Sequence, residues 1–157
     1  MPLTLAIVES LIVSYSGEKF VLPLAHIAET IPTKDHTVQH ATGIGEVILL
    51  RNENLRLFRL GDFFGIRSLK PKEDLISLVI RDGNEPFAIM VDDILGQHQV
   101  VVKQLGPDLA GLIGISGTTI LGDGRPSLIL EPGDLLKRKI STGYQPPKNK
   151  PEGVKVA

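Results

Sequence analysis

A chain of 157 residues has room for one compact domain or for two small lobes sharing a core. Hydrophobic residues make up 42% of it but aromatics only 4%, so the interior has to be built from Val, Ile and Leu, the residues that suit pleated strands. A net charge of -1 offers no basic field to a phosphate backbone, which argues against nucleic acid, and the lack of cysteine excludes disulfides and thiolate metal sites.

Period-2 apolar stretches bounded by Gly, Pro, Asn and Asp recur along the whole chain, and 16 glycines and 11 prolines supply the turns. A first hairpin is expected from Leu11–Tyr15 and Phe20–Leu24 around Ser16-Gly17-Glu18-Lys19, with Pro23 marking an edge strand because it cannot donate to a ladder. Pro32 and the β-branched Thr33, Thr37 and Val38 point to a loop next. Strands follow at Glu46–Leu50 and Leu55–Phe58, joined by Arg51-Asn52-Glu53-Asn54, and a short helix is expected at Gly61-Asp62-Phe63-Phe64. Further on, Gln97–Leu105 reads as a strand whose Val100-Val101-Val102 run puts apolar side chains on both faces. Thr118–Leu121 and Ser127–Leu130 form a hairpin around Gly122-Asp123-Gly124-Arg125, whose Asp-Gly step is a strong turn signal. Residues from Ser141 onward lack periodicity and are polar, so 141–157 is expected to be a disordered tail.

The second half repeats the plan of the first. Phe20-Val21-Leu22-Pro23-Leu24-Ala25-His26-Ile27 lies over Phe87-Ala88-Ile89-Met90-Val91-Asp92-Asp93-Ile94, and Leu57–Phe64 lies over Ile129–Leu136. In the latter pair a strand ends in Gly-Asp followed by two large apolar residues, which makes Asp62 and Asp134 candidate N-caps. Two related lobes follow, each a small curled sheet closed by a short helix. Their expected extents are about 8–72 and 73–140, a pattern that also permits strands to be exchanged between them.

Recognisable catalytic chemistry is missing. His36 and His40 stand four apart, but the intervening Thr37 is not the Glu of a zinc protease, and surface histidines explain them better. Asp92 and Asp93 are strand neighbours that point to opposite faces, so they cannot share a substrate atom. Gly111, Gly114 and Gly117 precede no Walker lysine and read as turns or kinks, and Ser116 has no nucleophile-elbow spacing. Lys137-Arg138-Lys139 suits a cationic last helical turn. No catalytic residue, cofactor or metal is expected. No apolar run approaches the roughly 20 residues that cross a bilayer, and the N-terminus has no basic signal region. A soluble, cytoplasmic chain without direct membrane insertion is therefore expected.

The run Val91–Gly106, followed by Ile115–Leu130 and combined with Phe20–Leu24 and Leu49-Leu50-Arg51, resembles the CheW-like domain in the version carried by CheA histidine kinases. The resemblance spans residues 8 to 138. It implies an all-β fold of two related SH3-like five-stranded barrel lobes with short helices. It also implies a non-catalytic regulatory domain of chemotaxis signalling. Its partners would be the CheW adaptor, the chemoreceptor cytoplasmic domain and the rest of the kinase dimer, at membrane receptor arrays. Pro2–Ile7 is similar to the strand that closes the kinase's ATP-binding domain, which favours a kinase fragment, with residues 1–7 as its end, over a free-standing adaptor. In the family a Leu-Arg-Gly arginine and a glutamate after the first hairpin are tied to coupling, and the matching residues are Arg51 and Glu29, although Asn52 replaces the usual Gly. Apolar residues on strand edges and lobe ends add Ile44, Val47, Val100, Val102 and Leu105 as docking candidates.

Overall fold

The computed structural model describes residues 6–68, 70–81, 83, 85–105 and 113–141, with residues 137–141 as backbone only. Eleven strands in two sheets account for most of them. The strands are β1 (Ala6–Tyr15), β2 (Glu18–Pro23), β3 (Ile27–Pro32), β4 (Val38–Ala41), β5 (Gly45–Leu50), β6 (Glu53–Arg59), β7 (Ile76–Ile80), β8 (Phe87–Val91), β9 (Asp93–Val102), β10 (Ile115–Ile120) and β11 (Pro126–Leu130). One helix, α1 (Pro132–Ser141), follows. The tail expected to be disordered lies outside the described residues from 142 onward, as do residues 1–5 and Gly111.

The five-stranded sheet runs β10-β11-β2-β1-β9 and the six-stranded sheet runs β3-β7-β8-β6-β5-β4. Read from β5, the second has the same order as the first, β5-β6-β8-β7-β3 against β10-β11-β2-β1-β9, with β4 added at its edge. The registers agree to the residue. Phe20 pairs in parallel with Leu128 as Phe87 does with Arg56, and Val13 faces Ile94 as Ile80 faces Ile27. The sequence repeat is thus a structural one, and each sheet draws strands from both halves of the chain. Lys103 and Thr118 exchange backbone bonds of 2.8 and 2.9 Å, curling the five-stranded sheet toward closure.

Long apolar runs arise because strands are covered on both faces. In β8 all five residues are buried: Phe87, Ile89 and Val91 join the core between the sheets, while Ala88 and Met90 join a core inside the six-stranded lobe. In β1, Leu11, Val13 and Tyr15 face the inter-sheet core and Ile12 faces a small core of Val21, Val100 and Ile129. Burial and the Asp62 carboxylate push the Tyr15 phenol up to about 12, so the ring stays neutral within this core.

Several local expectations are corrected by tertiary context. The strand of Pro23 is interior, flanked by β1 and β11; Pro23 is tolerated because it is the last residue, past the β11 pairing, where it faces only Ser10. The segment expected as a loop after Pro32 contains β4, whose β-branched Val38 pairs with Ile48. Asp62 is no N-cap, since the 3₁₀ turn Leu60–Phe63 is capped at Arg59 without a side-chain bond. Asp134 is third in α1, behind a Pro132 that suits the first helical position, and its carboxylate lies in the first turn where the helix dipole favours it. The turn of the first hairpin shrinks to Ser16 and Gly17, with φ of 52° and 84°, the left-handed pair that matches strand twist.

Candidate functional site

The β5–β6 hairpin closes on the pair Leu50 and Glu53, leaving Arg51 and Asn52 as a two-residue turn with φ of 47° and 69°. Asn tolerates this conformation well, so the turn survives without glycine at position 52, and Arg51 is held left-handed at its tip. Its guanidinium reaches the β3 residue Glu29, with which it forms a two-point ion pair: Nη2 donates to Oε2, and Nη1 to Oε1 at 3.4 Å. The structure therefore brings together the two charged residues singled out from the sequence, 22 positions apart. The Arg51 side chain remains 67% exposed, and in high-dielectric surroundings such a pair stabilises the fold little.

Beside it lies a second pair. Arg81, just past β7, donates to Glu53 through Nη2 at 2.7 Å and Nη1 at 3.5 Å. Sequence reading missed both residues, because the only signal was their charge and the contact depends on which strands lie side by side.

The Arg51 hydrogen bonds hold the Glu29 carboxyl below its ordinary 4.5, with further help from the Arg51 and Arg81 charges. A depressed carboxylate pKa means the pair is intact above 4.5 and opens as pH falls through the lower, folded value. In a carbon-detected titration, the Glu29 midpoint is expected below 4.5 in the native chain and back near 4.5 in Arg51→Ala. An unchanged midpoint in the variant would show that Arg51 does not set it.

The apolar candidates divide. Ile44, at the β4–β5 turn, is 53% exposed and Val47 is half-buried, while Leu49 on the same face of β5 is 40% exposed and was not singled out. The run Val47-Ile48-Leu49-Leu50 hides this, since only pairing shows that Ile48 and Leu50 point inward. In β9, Val100 is 5% exposed and belongs to the small core and Val102 packs against that core, while Leu105, three residues past the strand, packs against the inter-sheet core. The exposed residue of that valine run is Val101. Its partner across the β1–β9 ladder, Ile7, is exposed too, as are Leu95 and Ile120. A groove of about 520 Å³ opens there, lined in part by Leu95, Val101, Ile120 and Leu121. Leu49 and Ile120 are repeat equivalents, two residues beyond Val47 and Thr118, which pair with Arg56 and Leu128. Each lobe therefore exposes one large apolar residue at the same place.

The residues read as non-catalytic sit in structural roles. Asp92 joins β8 to β9 and accepts bonds of 2.7 Å from the Ser16 amide and the Ser68 hydroxyl, pinning the first hairpin turn to the segment before β7. Gly114 has a φ of 90°, and a Cβ on Gly117 would lie 2.7 Å from the Lys103 carbonyl oxygen. His40 stands exposed on β4 opposite Glu46. No group of three or more His, Asp or Glu among the described residues is placed to hold a metal ion, and no helix there is long and apolar enough to cross a membrane.

The family model for the CheW-like domain matches residues 9–139. The chain belongs to the CheW-like family. Curated relatives include the chemotaxis protein CheA of Listeria monocytogenes, 37% identical over 131 residues covering 83% of the chain, and that of Salmonella typhimurium, 36% identical over 132 residues. The sensor histidine kinase CheAY of Helicobacter pylori is 34% identical over 137 residues. The chain spans about a fifth of the length of these relatives: 21% for Listeria, 20% for Salmonella and 17% for Helicobacter. In fold it is similar to the crystal structure of the scaffolding protein TtCheW from Thermoanaerobacter tengcongensis, with a TM-score of 0.63 at 17% identity, covering 80% of this chain and 90% of that one. The CheW-like chain is thus related in sequence to CheA chemotaxis proteins and similar in fold to a CheW scaffold.

Proposed function

We propose that this CheW-like chain is the regulatory domain of a CheA-type histidine kinase. Residues 8–140 form the docking module. It binds a CheW adaptor and the cytoplasmic tips of chemoreceptors, coupling receptor state to the activity of the rest of the kinase dimer at membrane receptor arrays. The chain itself transforms no substrate. The observation that carries the reading is the exposed, preformed Arg51–Glu29 pair at the lobe end, in the positions that the family resemblance ties to coupling. The curated relatives named CheA, and the likeness of Pro2–Ile7 to the last strand of the kinase's ATP-binding domain, support a kinase origin. Coupling requires that the partners prefer one arrangement over another, since a ligand with equal affinity for both shifts nothing.

Charge reversal tests it. Arg51→Glu sets like charges against Glu29 and Glu53 on an exposed turn, and is expected to weaken binding of a purified CheW adaptor or a receptor cytoplasmic fragment about tenfold or more. The unfolding midpoint should barely move, because the site is on the surface. Retained binding to both partners would overturn the role of Arg51. The alternative, a free-standing CheW-type adaptor, draws support from the 90% coverage of the TtCheW chain. The coding sequence upstream of Pro2 separates the two, because a kinase must encode dimerisation and ATP-binding domains there.

A further inference from the structure

Four side chains of alternating charge, Glu29, Arg51, Glu53 and Arg81, occupy one end of the six-stranded lobe, and their connectivity is selective. Arg51 and Glu53 flank Asn52 in the hairpin turn. Glu29 faces Val79 in the β3–β7 ladder, so Arg81, two residues beyond Val79, is its diagonal neighbour on the same face. Arg51 thus has two carboxylates near it, one on β3 and one in its own hairpin. It takes the distant one. Glu53, nearer along the chain, is engaged at two points by Arg81, whose backbone amide is itself anchored by a 3.0 Å bond to the His26 carbonyl.

Resting on the docking role proposed above, we propose that Arg81 is a positioning residue: by occupying Glu53 it keeps the Arg51 guanidinium on Glu29, and so fixes the direction in which that guanidinium meets a protein partner. Exposed ion pairs of this kind add little to stability, so their value lies in which partner each charge selects. Without Arg81, Glu53 becomes an unpaired carboxylate two residues from Arg51. It then competes with Glu29. The anchoring of the arginine fork is lost although neither of its members has been altered. A bidentate fork is directional, so a change of acceptor re-aims it.

Arg81→Gln alone and Arg81→Gln with Glu53→Gln decide the matter, because the second change removes the competitor that the first releases. The Arg51 Nε–Hε resonance of the isolated chain is expected to shift in Arg81→Gln and to return toward its native position in the double variant. Binding of a purified CheW adaptor should fall about three- to tenfold in the single variant and recover to within about twofold in the double, with unchanged unfolding midpoints. Arg81→Lys, which keeps the charge on Glu53, should lie between them. A double variant as weak as the single would mean that Arg81 touches the partner directly, and an Arg51 resonance indifferent to Arg81 would remove the positioning role; either result overturns the inference. A native chain that does not bind the adaptor at all would instead sink the docking role, while the resonance still decides what positions Arg51.

Discussion

Gly61→Ala is expected to lower the free energy of unfolding by about 3 kcal/mol or more, a large effect for adding one methyl group. The position carries no left-handed φ; the obstacle is space. A Cβ there would lie 1.9 Å from the Ile66 carbonyl oxygen and 2.4 Å from Cε1 of Tyr15. The first neighbour is backbone, held by the bond from the Ile66 amide to the Gly61 carbonyl at 2.9 Å. The second is a ring with no exposed surface at the end of β1. Neither can retreat without disturbing the 3₁₀ turn Leu60–Phe63 or the core. Gly17→Ala is the matched control, since nothing lies within 4 Å there and only the φ of 84° resists. It should cost about 1 kcal/mol. Equilibrium urea denaturation measures both, with the midpoint falling and the slope unchanged. A loss below about 1 kcal/mol at Gly61 would mean that the approach of Ile66 and Tyr15 is looser than described.

Phe87→Ala is expected to cost about 3–5 kcal/mol and to weaken both sheets together. Phe87 is 2% exposed and meets Phe58 edge-to-face at 5.9 Å, in a core that includes Leu11, Val13 and Leu22 of one sheet and Leu78, Ile80 and Ile89 of the other. Removing the ring leaves a cavity that strands on both sides must line, and close packing gives them little freedom to collapse into it. The strand exchange strengthens the coupling, since β9 completes the sheet that β1 begins and β3 completes the sheet that holds β7 and β8. Hydrogen exchange should therefore show the amides of Val21, in one sheet, and Ile48, in the other, losing protection by the same free energy. Protection that falls at Ile48 while Val21 is untouched would show that the sheets open independently.

Much of this was legible in the residues. Turn chemistry located the hairpins at Gly17, Arg51-Asn52 and Asp123-Gly124, because residues that tolerate left-handed or tight backbone act locally. The duplication was also local information, visible as equal spacing from Phe20 to Ile27 and from Phe87 to Ile94. A matching spacing does not reveal function by itself; the family resemblance supplied Arg51 and Glu29, and the geometry then placed them in contact.

The sequence by itself determined the β class, the hairpins and the repeat, since alternation and turn preference are properties of neighbouring residues. Only the tertiary structure decided which sheet each strand joins, that Pro23 ends an interior strand, that Val100 is core while Val101 is exposed, and that Arg81 holds Glu53. Those outcomes depend on pairings such as Ile12 with Gly96, whose partners lie far apart along the chain and become neighbours only when both faces of each sheet have been covered. A run of consecutive aliphatic residues satisfies either face equally, so burial of the second face, rather than local preference, makes the choice.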